Sequence, residues 1–125
     1  MRVVIDPETQ VEVMVPEFAT PDAVLRRERL RRAGGLRRLR FAPDWGHPWP
    51  LWLIGSEPFN ASPADLGLSE ELAAEIRRWH DEWLEHFDPF AGWKPGSSPD
   101  AWERRGEAIR AGLERELFDS TELVD

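Results

Sequence analysis

Leu72, Ile76, Trp79, Trp83 and Phe87 recur at spacings of 4, 3, 4 and 4, which is the period of one stripe along an α-helix. The pattern predicts a helix over residues 69–87. Ser69 is its N-cap, and Glu70 and Glu71 sit in the first turn, where the helix dipole favours carboxylates. A second stripe, Trp102, Gly106, Ile109, Leu113 and Leu117, repeats the same spacings and predicts a helix over 99–118, with Ser98 as cap and Pro99 at its first position. Gly106 lies inside the apolar stripe at a cost of about 1 kcal/mol against alanine. Close approach by Trp79 or Trp83 is the expected compensation. The loop "DPFAGWKPGSSP" between the stripes makes them an antiparallel helix pair.

The N-terminal half alternates instead. Val11, Val13 and Val15 share one face of "VVIDPETQVEVMV", with Pro7 and its polar neighbours as the turn, so residues 1–20 read as a β-hairpin or arm. A short basic helix follows over 23–33, capped by Thr20 or Asp22, with Val24, Leu25 and Leu30 as sparse apolar positions and Gly34-Gly35 as its end. Strands fill 36–54. "RRLRF" places Leu39 and Phe41 on one face and Arg38 and Arg40 on the other, and "LWLI" at 51–54 enters the core. Pro48 and Pro50 keep the segment before it out of a central strand. "ELVD" adds a short terminal strand. The fold class read from these elements is α+β: one domain over 1–125, a small antiparallel sheet from the N-terminal half packed against a C-terminal antiparallel two-helix hairpin.

Composition adds limits. The 125 residues carry no cysteine, which removes disulfides and thiolate chemistry. No apolar run approaches the ~20 residues of a membrane span, and no signal-peptide layout opens the chain, so a cytoplasmic protein is expected. The net charge of −8 is uneven. Residues 26–40 hold eight arginines against one glutamate, whereas residues 57–125 hold 17 acidic against 7 basic side chains.

Catalytic chemistry finds little support. His80 and His86 are six residues apart, about 240° around a helix, and so share no ion. No serine stands in a Gly-x-Ser-x-Gly setting, and Gly34-Gly35 lack the continuation of a phosphate loop. No enzyme, metal or cofactor is expected. Of the seven tryptophans, Trp45 and Trp49 read first as core and second as stacking platforms.

Two surfaces are left as candidates. The face of the first long helix opposite its tryptophans carries Asp81 and Glu85, and Glu82 adds to the acidic surface. It reads either as a solvated face with Arg77–Asp81 and Arg78–Glu82 pairs or as a docking surface for a basic protein, with Trp49 or Trp93 as apolar anchor. The arginine block reads in three ways. It lines the acidic helix pair, it meets a partner protein, or it binds nucleic acid through Arg26, Arg27, Arg29, Arg31, Arg32, Arg37 and Arg38. Self-association is open as well.

The elements Trp52, Leu68 to Leu72, Trp79 with Trp83, Gly92-Trp93, and Trp102 with Gly106 resemble a family of small, uncharacterised, acidic proteins from high-GC bacteria. The resemblance covers roughly residues 38–118 and implies the fold, since these positions are caps and core. In general character the chain is also similar to immunity proteins of bacterial toxin systems. The expected function is non-enzymatic protein binding, an immunity-like or antitoxin-like neutraliser of a basic partner. The alternative is nucleic-acid binding through 26–40.

Overall fold

The computed structural model describes residues 2–55 and 58–125. Strands β1 (Arg2–Ile5) and β2 (Glu12–Val15) form the expected hairpin, and α1 (Pro21–Ala33) follows it. Thr20, rather than Asp22, caps α1, its hydroxyl accepting the Ala23 amide at 3.1 Å. Gly34, at φ +73°, ends the helix in the left-handed conformation that glycine adopts without steric cost.

The body begins at β3 (Arg37–Phe41). It continues through β4 (Leu51–Ile54), β5 (Phe59–Asn60), the one-turn α2 (Pro63–Leu66), α3 (Glu70–His86), β6 (Phe87–Asp88), β7 (Gly92–Trp93), α4 (Pro99–Glu116) and β8 (Thr121–Val124). The main sheet has the order β5-β4-β3-β8. Strands β3, β4 and β5 pair antiparallel, as expected for the N-terminal half. The terminal strand β8 joins the other edge of β3 in parallel, with Leu39 opposite Leu123. Both long helices lie between those two strands in the chain, which is the kind of crossover that parallel pairing requires.

Alternation places Leu39 and Leu51 at zero exposure on the sheet face that meets the helices. Leu72, Ile76 and Trp79 of α3, with Ile109 and Leu113 of α4 and Leu117 just beyond it, close the core against them. Ser69 caps α3 by accepting the Leu72 amide, and its own amide and hydroxyl both donate to the Glu116 carboxylate at 2.7 Å. The start of α3 is thereby fastened to the end of α4, as an antiparallel pair requires. Ser98 differs from expectation: its side chain makes no capping bond, and Pro99, which has no amide hydrogen to satisfy, starts α4 by itself. At Gly106 a Cβ would stand 3.0 Å from the Trp79 ring, so Trp79, and not Trp83, is the group that needs the glycine.

The hairpin and α1 make a smaller cluster. Val15, Ala19 and Val24 are buried together, with Val4, Val13 and Phe118 packed against them.

Candidate functional site

In α3 the apolar stripe faces the core, so Asp81 and Glu85 stand on the outer side, while Glu82 lies on the flank toward α4. Asp81 is exposed, and the Glu85 side chain is 76% exposed. Glu82 is less free: its carboxylate bonds Arg105 of α4. That bond replaces the expected Arg78–Glu82 pair, because the neighbouring helix presents a guanidinium within reach. Arg77 likewise turns from Asp81 to lie over the Trp49 ring, 5.2 Å from its centroid.

At the C-terminal end of α3 the chain makes a tight hairpin. Phe87 pairs with Trp93 and Asp88 with Gly92, and the Lys94 amide donates to the His86 carbonyl at 2.8 Å. Asp88 Oδ1 accepts the amides of Phe90 and Ala91 at 2.7 and 2.9 Å. These two amides, with Lys94 nearby, hold the Asp88 carboxyl below the usual carboxylate range. The Lys94 ammonium donates to the Glu85 carbonyl. Phe90, at the tip, is 98% exposed.

Beneath the tip lies a continuous aromatic pile. Phe87 stacks on Trp83 at 5.2 Å, Trp93 meets Phe87 edge-on at 5.5 Å and Trp102 at 5.2 Å, and Trp102 stacks on Trp79 at 4.2 Å. Trp45 lies over Trp83 at 4.4 Å and is 39% exposed. His80 is buried, and its Nε2 meets the backbone of Asp44, the residue before Trp45.

The two tryptophans expected as exposed anchors are both half-buried. Trp93 is part of the pile, while Trp49 packs against the main core under Arg77. The exposed aromatic groups at this end are Phe90 and Trp45. Sequence reasoning passed over Phe90 because a phenylalanine in a Pro/Gly loop has no periodic signal. The combination of Asp88 before it and Gly92 after it, a turn that displays an apolar side chain, was the available clue.

The arginine block meets carboxylates of its own chain, but different ones from those expected. Instead of lining the acidic helix pair, the side chains of α1 reach the turn of the first hairpin and the C-terminal segment. Arg32 bonds Asp6 at 2.8 Å and Glu8 at 2.5 Å, and Arg29 approaches Glu8 at 3.4 Å. Arg26 bonds Asp119, while Arg31 lies 3.7 Å from both Glu28 and Glu122. Arg27 donates to the carbonyls of Phe118 and Thr121 at 2.6 and 2.7 Å and lies over the Phe118 ring. Arg38 approaches Glu122 at 3.8 Å, and Arg37 donates to the Ser120 hydroxyl. The reason is topological: β8 runs beside β3, and it and the turn before it bring Asp119, Ser120 and Glu122 to the arginines.

Among the described residues, no three metal-ligating side chains converge. No helix among the described residues is long and apolar enough to cross a membrane.

A family model described as "Serratia CdiI immunity protein-like" matches residues 37–124, from the first residue of β3 to the last of β8. The chain belongs to this family. No curated protein and no solved structure matches it. The hairpin and α1 lie outside the matched span, and the arginines of α1 tie them to the C-terminal segment of the family body.

Proposed function

We propose that the chain is an immunity protein that neutralises a toxin by binding it, and that it acts in the cytoplasm without catalysing a reaction. The observation that carries this reading is the family match, which spans the whole body from β3 to β8. We further propose that the toxin is basic and docks on α3 around Asp81, Glu82 and Glu85; Trp49 and Trp93, half-buried, are too covered to serve as its apolar anchors. Supporting this, α3 carries six carboxylates against two arginines, and a surface of one sign accelerates encounter with an oppositely charged protein. No observation favours the nucleic-acid reading: the arginines that would meet phosphate are engaged with carboxylates and carbonyls of the chain itself.

The test takes as candidate toxins the proteins encoded by the genes that flank that of this chain. Co-expression of the chain should relieve the growth arrest, and the purified pair should form a complex. Charge reversal at Asp81, Glu82 and Glu85 together should slow association on the order of tenfold at low salt. An unchanged association rate would exclude the acidic face, and persistent growth arrest would exclude the immunity reading.

A further inference from the structure

Phe90 has no role in folding. Its ring is 98% exposed, flanked by Pro89 and Ala91, which are exposed as well. An exposed apolar side chain is ordinary when it sits on a loose loop, but this one is held in place. The Asp88 carboxylate pins the amides of Phe90 and Ala91, and Gly92, at φ +78°, makes the left-handed turn that returns the chain. The two-residue strands on either side rest on Trp83 and Trp102 through Phe87 and Trp93. With its backbone held, Phe90 has only the two side-chain torsions of an aromatic residue to order on docking, which keeps the entropy cost of such an anchor low.

The surroundings fix the character of the partner. Asp81 and Glu85, one helical turn apart, lead up to Asp88 at the base of the tip. Across the pile, Asp44 lies beside the partly exposed Trp45. The one lysine here, Lys94, is turned onto the Glu85 carbonyl. Resting on the immunity reading above, we infer that Phe90 is the anchor of the interface, inserting into an apolar pocket of the toxin that is rimmed by lysine or arginine side chains. Desolvated aromatic anchors ringed by polar contacts carry most of the affinity in protein interfaces. The helix-pair carboxylates supply the ring on this side.

The test measures binding of the purified toxin identified by that co-expression, with its active site inactivated, to the wild-type chain, Phe90→Ala and Phe90→Leu. Phe90→Ala should raise Kd at least about 30-fold, mainly through faster dissociation. Phe90→Leu should recover most of the loss. The melting temperature of Phe90→Ala should equal that of the wild type, because the ring packs against nothing within the chain. A Kd for Phe90→Ala within about threefold of the wild type would overturn the anchor while leaving the immunity reading intact. Failure of the wild-type chain itself to bind would remove both.

Discussion

Trp79 and Trp102 hold each other by both ends. The Trp79 indole N–H donates to the Trp102 carbonyl at 2.9 Å, the Trp102 indole N–H donates to the Trp79 carbonyl at 2.8 Å, and the rings stack at 4.2 Å, only 8° from parallel. One pair of residues thereby fixes the separation of the two long helices and satisfies two indole donors that burial would otherwise strand. Trp102→Phe removes one of the two bonds and part of the stacked area. The expected loss is about 1–2 kcal/mol, seen as a melting temperature lower by roughly 3–8 °C. Thermal unfolding followed by circular dichroism checks it.

Two glycines of α4 should respond in opposite ways to alanine. Both substitutions add about 1 kcal/mol of helix propensity. At Gly106 the new Cβ would stand 3.0 Å from the Trp79 ring, which is locked by its bonds to Trp102 and has nowhere to move. Overpacking of about 1–3 kcal/mol then outweighs the gain, and Gly106→Ala should be less stable than the wild type. At Gly112 the Cβ meets the end of the Leu72 side chain at 3.1 Å, a flexible group that can turn aside. Gly112→Ala should be as stable as the wild type or more so. Denaturant midpoints of the two variants measure the difference.

Asp6 gives the N-terminal hairpin a dependence on acid. The Glu8 amide, and after it the Arg32 guanidinium, hold its carboxyl below the usual carboxylate range. A folded-state value below the unfolded one means that the stabilisation is fully present above the unfolded value, about 3.9. It is lost as pH falls through the lower, folded value. Asp6→Asn should therefore melt below the wild type at neutral pH, and the gap should narrow as pH drops below about 4. A gap that stays constant down to strong acid would show that the Asp6 charge contributes nothing.

The helix pair was legible because an amphipathic stripe is a local property, written into every fourth or third residue. Gly106 betrayed its tryptophan neighbour for the same reason, since an interruption of a stripe calls for a physical cause. The parallel pairing of Leu39 with Leu123 was not legible: alternation marks a strand but does not say which edge it joins. From that single long-range choice followed the partners of the arginines, because β8 and the turn that leads into it carry Glu122 and Asp119 to them. Turn residues set the display of Phe90, and the stripe that dominates its neighbourhood conceals it. Composition did reveal the charge division, although it could not show that most arginines of the block meet carboxylates or carbonyls of the chain itself while Asp81 and Glu85 face outward.

That division leads to the measurement that decides the account. Hydrogen–deuterium exchange of the chain should be followed alone and in complex with the inactivated toxin domain. The account predicts slowed exchange in the C-terminal half of α3 and through residues 88–94, with α1 and β3 unchanged. Protection centred on residues 26–40, with the tip at Phe90 exchanging as in the free protein, would contradict it and make the arginine-rich segment the binding surface.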